Sequence, residues 1–600
     1  MPRQTRRRRR SVQPRFFVIL FLFIIAVVMG ALVLTDVFVP DKRSEKTEEK
    51  PGLLESIFAK DEPTPTPRPT PTPSPTPTPV PTFNPAPVEG TRPEDFGLEW
   101  AMEVNGQTVE TYQADAPIDL LEGEDYTEAE GIITFRGNNF RDGASYGVVK
   151  LSEKTLDEAG AWTFSVGSMS KMYGEGSWTG CGWTGQPLIV RWPQETKQHM
   201  NMYDAAKADP ALVEVIYATM DGRIYFLDLA TGQKTRDPID TGFPFKGAGA
   251  LDPRGYPLMF VGAGDDSPSK GSARAFIISL IDGSVLYEFG VEDPFAWRAW
   301  TAFDSSALVD AETDTLIFPG ESGILYLFKL HTQYDKAAGT ISVSPEVVKW
   351  RYRGAKTDTT GKDGSEGWWL GMEDSAIVWR GHAIFTDNGG HMICLDLNNL
   401  TPVWVQDTLD DTNCTPVFEL EGTEHHPYVY TSTSFHGGWR AAADRTARIP
   451  IWKVDAVNGK VVWENNDFEC ETISGVSGGV QGTMAIGKNK LADMIFVPVA
   501  MTEGSKGKLV ALSKADGHQV WCCDFLGYPW SSPVTVYDAA GNGYIIQCNK
   551  SGYIHLIDGM TGTILFEMSL GSNIEASPAV FENTIVVGTR GGLIYGLKIK

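Results

Sequence analysis

The sequence predicts an all-β protein: an eight-bladed β-propeller preceded by one transmembrane helix and a Thr/Pro-rich linker. Three observations carry this. A strand–turn–strand segment closed by an aromatic residue recurs between about Gly160 and Lys600 at a period of roughly 40–50 residues, the signature of a propeller or solenoid. The chain ends on three strands of a blade whose fourth strand lies near residue 161. A twenty-residue uncharged run follows an arginine-rich N-terminus.

Residues 1–15 carry seven arginines and no acid, and read as a cytoplasmic basic segment. Residues 16–38 follow, with Phe16 to Thr35 free of charge, the length of one membrane-spanning helix. The basic flank keeps the N-terminus in the cytoplasm and places the rest of the chain outside a cell membrane crossed once. A cleaved signal peptide is the rival reading; its apolar region is normally shorter and ends in a small-x-small site, which is not found here. Residues 39–92 lack apolar periodicity. At their centre Pro63 to Pro81 alternates threonine and proline, composition that enforces polyproline II and makes a semi-rigid spacer. Such stalks resemble those of cell-envelope proteins in Gram-positive bacteria.

Residues 93–159 form a hairpin and a bracing segment. Leu98 to Tyr112 alternates about an Asn105-Gly106 turn. Gly131 to Asp142, GIITFRGNNFRD, has no partner among the repeats; its Arg136, Asn138, Asn139 and Arg141 suit either a ligand loop or a brace across one propeller face.

The propeller occupies residues 160–600. Its clearest copies are Gly552 to Phe566, Gly222 to Gly232, Gly390 to Trp404, Ile451 to Trp463 and Gly507 to Trp521. Apolar residues on both faces of a short strand describe a blade covered by two others. In the following D-x-x-T/N-G, Asp bonds backbone N–H groups ahead of it and Gly supplies φ > 0. The closing aromatic (Trp404, Trp463, Trp521, Phe566) is suited to docking on the next blade. Blades are expected near 187–237, 247–289, 304–352, 374–406, 414–464, 476–523 and 530–569, with an eighth joining Ala161 to Val166 to Ala576 to Lys600 so that no edge stays open. Seven blades is the alternative if a weak copy is an insertion.

The repeats resemble those of the pyrroloquinoline-quinone (PQQ) family, roughly G-x-L-Y-A-L-D-x-x-T-G-x-x-x-W, which build both the quinoprotein dehydrogenases and the non-enzymatic assembly lipoprotein BamB. The enzymatic branch of the resemblance implies PQQ and calcium, with Asp304, Glu373 and Asp374 as metal ligands or base and a tryptophan against the quinone. Some of its members carry an adjacent-cysteine disulfide above the cofactor. Here Cys522-Cys523 directly follows Trp521, in an outer strand whose successive side chains point to opposite faces, a poor place to bridge or to reach the axis.

Charge and residue usage narrow the functions. A net charge of −24, more negative still beyond the N-terminal arginines, argues against nucleic acid and against an anionic membrane surface. Seven cysteines in 600 residues make no disulfide framework. Zinc-type Cys/His spacing, the nucleophile elbow, the H-E-x-x-H helix and the phosphate-binding loop are all missing from the sequence.

The segments leading into the innermost strands share a form: WTGQP, FDSSA, MEDSA, TNCTP, WSSP and EASP. They place Trp183, Asp304, Glu373, Asp374, Asn413, Trp530 and Glu575 around the mouth of the central channel, with Trp297, Trp300, Trp368 and Trp369 beside them. An oxygen-rich, aromatic-lined mouth suits calcium, a sugar or a cofactor; small residues also recur there because strands crowd at the axis. Two long departures from the repeat, Arg353 to Leu370 and Thr433 to Ile449 (with His436, Trp439 and Arg440), fall nearby. The reading that emerges is a non-enzymatic binding or scaffolding module at the cell envelope, its partner an envelope protein or cell-wall glycan. The alternatives are a PQQ- and calcium-dependent dehydrogenase, and carbohydrate binding at the tryptophan-lined mouth.

Overall fold

Leu593–Ile599, the last strand of the chain, pairs antiparallel with Leu156–Ser165, from Leu593 opposite Ser165 to Ile599 opposite Leu156. This pairing closes a ring of eight sheets, each an antiparallel meander, at residues 188–240, 250–289, 308–353, 377–407, 417–465, 485–525, 534–569 and, across the termini, 579–599 with 156–165. They are numbered blades one to eight here. The computed structural model describes residues 83–182, 185–357, 369–436, 445–473 and 476–600. Eight blades is therefore the architecture, and the sequence boundaries hold to within about ten residues. The membrane helix expected at 16–38 lies outside the described residues, among which no helix is long and apolar enough to cross a membrane.

The strands form because both faces are covered. In blade three every residue of Ile324–Phe328 is buried, as is all of Met494–Ala500 in blade six. The turns follow the chemistry of the repeat. Asp228 Oδ1 accepts from Ala230 N at 2.8 Å, and Gly232 turns back at φ +71° to donate to the Asp228 carbonyl. Asp558 and Gly562 (φ +71°) repeat this in blade seven.

Each closing tryptophan docks on the next blade's turn. The indole Nε1 of Trp162, Trp404, Trp463 and Trp521 donates to the carbonyl of Leu229, Ala456, Lys514 and Gly559 at 2.8–3.0 Å. The ring lies on the turn glycine so closely that a Cβ on Gly232, Gly459, Gly517 or Gly562 would meet it at 2.5–2.7 Å. The glycine is required twice over, by its φ and by the indole.

The segment 130–146 is a brace. It crosses the axis and hydrogen bonds to the innermost region of every blade. Glu130–Ile132 pairs with Leu188–Arg191 of blade one, and Leu251 N of blade two donates to Ile133 O at 2.7 Å. Thr134 Oγ1 donates to Ala307 O of blade three, and Val378 N and Phe418 N of blades four and five donate to Asn139 O and Phe140 O. Arg136 donates to Met484 O and Pro533 O of blades six and seven, and Ser145–Tyr146 pairs in parallel with Ala579–Phe581 of blade eight. Arg136 and Arg141 are wholly buried. Arg141 donates to Ala376 O, Ser306 O and Phe135 O and to the Thr134 hydroxyl.

Two N-terminal elements differ from the sequence reading. The expected hairpin exists, but Glu99–Val104 also pairs along Glu346–Arg353 and so extends blade three outward. Residues 83–92, read from composition as the end of the linker, lie against blades four and five. Phe83 packs at a tilt against Trp379 with ring centroids 4.9 Å apart, and Thr91 Oγ1 donates to Asn458 O at 2.8 Å. An aromatic, a hydroxyl and two backbone hydrogen bonds, Ala86 N to Val457 O and Val405 N to Thr91 O, dock a stretch whose composition reads as spacer.

Candidate functional site

The segments that lead into the innermost strands are tied to one another by hydroxyls. Ser306 N donates to Ser375 Oγ, and Ser375 N to Thr415 Oγ1. Thr483 N donates to Ser532 Oγ, and Ser532 N to Ser577 Oγ, all at 2.8–3.2 Å. The small residues shared by these segments thus link neighbouring blades as well as fitting a crowded axis. One or two residues earlier in the same segments, longer side chains open into a cavity of about 240 Å³. Its walls come from blades two to seven and the segments that lead into them: Lys246, Trp300, Glu321, Trp369, Glu373, Asn388, Asp411, Asn413, His436, Gln481 and Trp530 among them.

Of the residues expected at the mouth, Glu373, Asn413 and Trp530 line this cavity. Asp304 stands at its edge, its carboxylate 3.9 Å from Lys246 Nζ. Asp374 does not line it: Oδ2 accepts from Thr386 N at 3.0 Å and from the Thr386 hydroxyl, so this carboxyl secures the adjoining strand. Glu575 is held aside by Asn573 Nδ2 at 2.6 Å and Arg590 at 3.4 Å. Trp183, Trp368, Trp439 and Arg440 lie outside the described residues. Trp297 stacks under Arg351 and Arg353, 4.2 and 4.8 Å from its ring, on the outer strand of blade three.

The sequence reading missed Lys246, Asp411 and Gln481, which lie in entry segments like those it used, and Arg298, Glu321 and Asn388, which come from other loops of the repeat. In blades three and four the loop between the second and third strands supplies a polar residue, Glu321 and Asn388, just after an apolar strand ends. That register was the available signal. Arg298 Nη1 donates to Leu370 O at 2.7 Å and to Asn388 Oδ1 at 2.9 Å. This orients the Asn388 amide, whose Nδ2 donates to Asp411 Oδ1 at 2.7 Å and Glu373 Oε2 at 3.1 Å. Trp300 Nε1 donates to Glu321 Oε2 at 2.6 Å, and the Trp369 ring lies 5.3 Å from that of His436.

Four carboxyls, of Asp304, Glu321, Glu373 and Asp411, thus stand near two cations, Lys246 and Arg298. Burial first, then the neighbouring Glu373, raises Glu321 to about 8. Burial likewise pushes Asp304 and Asp411 well above the carboxylate range, and Glu373 adds to it in both. Burial lowers His436 and so favours its neutral ring. A larger cavity of about 430 Å³ opens on the flank beside Tyr126 and Arg254, but Arg254 is spent on Asp252 and Asp314 and the Tyr126 hydroxyl on Val309 N.

A PQQ-type family model, described as outer membrane protein assembly factor BamB, matches residues 505–600, the end of blade six and all that follows. Residues 505–600 thus carry PQQ-like repeats, within a chain whose described fold is an eight-bladed β-propeller. No curated protein matches it. Among solved structures it is similar to the quinohemoprotein alcohol dehydrogenase of Comamonas testosteroni (TM-score 0.41, 12% identity, 81% of this chain and 83% of that one). It is also similar to a europium-containing methanol dehydrogenase (0.38, 12%, 76% and 89%) and to BamB of Moraxella catarrhalis (0.31, 12%, 74% and 99%). Likeness at these scores carries nothing about activity.

The residues of the mouth fit PQQ poorly. A polycarboxylate quinone would face the four carboxyls, while Lys246 lies against Asp304 and Arg298 is engaged by Leu370 O and Asn388. Among the described residues no three His, Cys, Asp or Glu side chains converge as metal ligands. Cys522 and Cys523 sit on the outer strand of blade six, opposite Val510 and Leu509, as free thiols, with Cys523 buried and Cys522 half-buried.

Proposed function

We propose that this protein is a non-enzymatic binding propeller of the cell envelope, anchored by its N-terminal helix, spaced from the membrane by the Thr/Pro stalk, and taking its ligand at the channel mouth. The observation that carries the reading is the brace 130–146, which fills the axis and is hydrogen bonded into all eight blades beneath a shallow polar mouth. A buried, water-excluded chamber of the kind that cofactor chemistry uses has little room below such a floor. What remains is a concave surface with aromatic walls and convergent polar groups, the form of a binding site. Of the two partner classes, an envelope protein or a cell-wall glycan, the indoles of Trp300, Trp369 and Trp530 favour the glycan, whose ring faces stack on aromatic rings.

The test is crosslinking in intact cells, using the full chain with a photoreactive amino acid in place of Trp300. An adduct with an envelope component is expected. Saturable stabilisation by PQQ plus calcium, with dye reduction on adding an alcohol and no adduct, would sink the reading.

A further inference from the structure

Three features of the mouth point to one class of ligand. The carboxyls of Glu321, Glu373 and Asp411 line a cavity whose two cations, Lys246 and Arg298, are already held, by Asp304 at 3.9 Å and by Leu370 O and Asn388 Oδ1 at 2.7 and 2.9 Å. Two further side chains in the same wall present oxygens without a partner. Asn413 is 8% exposed and Gln481 is 2% exposed, and neither Asn413 Oδ1 nor Gln481 Oε1 receives a hydrogen bond. Both are acceptors, and a buried acceptor left unmatched costs about 1–3 kcal/mol, so the site is short of donors. Third, the rings of Trp300 and Trp369 flank the acids, and Trp300 is 38% exposed at the rim.

We infer that the mouth binds an amino sugar through its protonated amine, with the ammonium among Glu321, Glu373 and Asp411, hydroxyl donors toward Asn413 and Gln481, and the ring face against Trp300 or Trp369. This rests on the binding reading above and names its ligand. An ammonium group is all donors, so it answers both the excess of carboxyls and the unmatched acceptors. An indole face attracts the cation and covers the apolar face of a pyranose. A neutral sugar brings these acids no cation and so gains nothing from their ionisation. A bare metal ion draws its oxygen ligands in to about 2.3–2.6 Å, and among the described residues no three His, Cys, Asp or Glu side chains are grouped to hold one, whereas an ammonium meets its acceptors singly through longer N–H···O bonds. Burial first, and Glu373 after it, raises Glu321, Asp304 and Asp411, with Lys246 opposing the rise at Asp304, so these acids hold protons in the mouth and a bound ammonium would draw them back to the charged form.

The test uses the full chain in mild detergent and three probes of one shape: D-glucosamine, D-glucose and N-acetyl-D-glucosamine, titrated at pH 6.5 and followed by tryptophan fluorescence and calorimetry. Glucosamine should bind at least about tenfold more tightly than the two neutral sugars, a difference of about 1.4 kcal/mol. Glu373→Gln should remove that preference. Trp300→Ala, at a ring 38% exposed, should weaken glucosamine while the protein still melts in one cooperative transition, and covers the case in which Glu373→Gln fails to fold. Equal binding of all three sugars, or a preference that survives Glu373→Gln, would overturn the ammonium assignment while leaving the mouth a sugar site. Binding of none, together with an envelope adduct at position 300, would overturn the amino sugar and spare the binding reading. Absence of both would remove both.

Discussion

Arg136 Nη1 donates to the carbonyl of Pro533 at 2.6 Å, across 397 residues of sequence. The bond joins a segment that precedes the propeller to its seventh blade. Arg141 does the same for blades three and four through Ser306 O and Ala376 O. The ring is thus closed in two ways: at its rim by the strand shared between the termini, and at its axis by two arginines whose charge is met by carbonyl dipoles. Burial lowers both guanidinium groups from their usual range, to about 10, and both still carry charge at neutral pH.

Arg141→Met should destabilise the folded protein strongly. It strands the carbonyls of Ala376, Ser306 and Phe135, each at roughly 1–3 kcal/mol if left unmatched. Urea unfolding followed by tryptophan fluorescence should give a lower midpoint and an unfolding free energy lower by several kcal/mol. A loss below about 1 kcal/mol would mean that the brace is dispensable.

Removing residues 591–600 should abolish cooperative folding. The deletion takes away Leu593–Ile599, leaving Leu156–Ser165 without a partner and exposing the edge of Thr584–Gly588. Calorimetry should show no single transition, and size exclusion should show aggregates.

Much of this fold was legible because a propeller repeats its local physics. The D-x-x-T/N-G turn and the closing tryptophan fixed both the blade boundaries and the contact between blades. The brace was harder to read, because Arg136 and Arg141 look alike whether they face a ligand or a ring of carbonyls; only burial separates the two. The mouth was half legible. Glu373, Asn413 and Trp530 were found through one loop position of each blade, whereas Glu321 and Asn388 enter from another. Asp374 and Glu575 share the motif, yet Thr386 and Arg590 turn them to structural work.

Gly562→Ala tests the docking of one blade on the next. A Cβ there would meet the Trp521 ring at 2.5 Å, on a residue held at φ +71°. Strain and overpacking together should cost about 2–4 kcal/mol, read as a lower melting temperature. Gly255→Ala, also at φ +71° but with open space around it, should lose only the strain, about 1 kcal/mol. Equal losses in the two variants would remove the indole from the account.

Under native conditions iodoacetamide should label Cys522 alone, and slowly. Cys522 is half-buried and burial raises its thiol, while the other six cysteines are buried. Intact mass should gain one adduct and, before labelling, show no loss of hydrogens from a disulfide. A mass deficit that maps to Cys522-Cys523 would return that pair to the quinoprotein pattern.

The mouth carboxyls set a pH dependence whose sign is fixed. Glu321 titrates near 8 in the folded protein, through burial first and then Glu373, against about 4.5 when unfolded. Between those values the folded state holds the extra proton, so this group's contribution to stability is present at low pH and is lost as pH rises toward 8. Asp304, Glu373, Lys246 and Arg298 are the charged groups that face it, with Trp300 Nε1 donating to its carboxylate. Glu321→Gln should therefore flatten the fall in melting temperature between pH 5 and 8 relative to the unaltered chain. The gap between the two curves should widen with pH in favour of the variant. A constant gap would mean that Glu321 titrates normally, and that the mouth holds its negative charge at neutral pH without help.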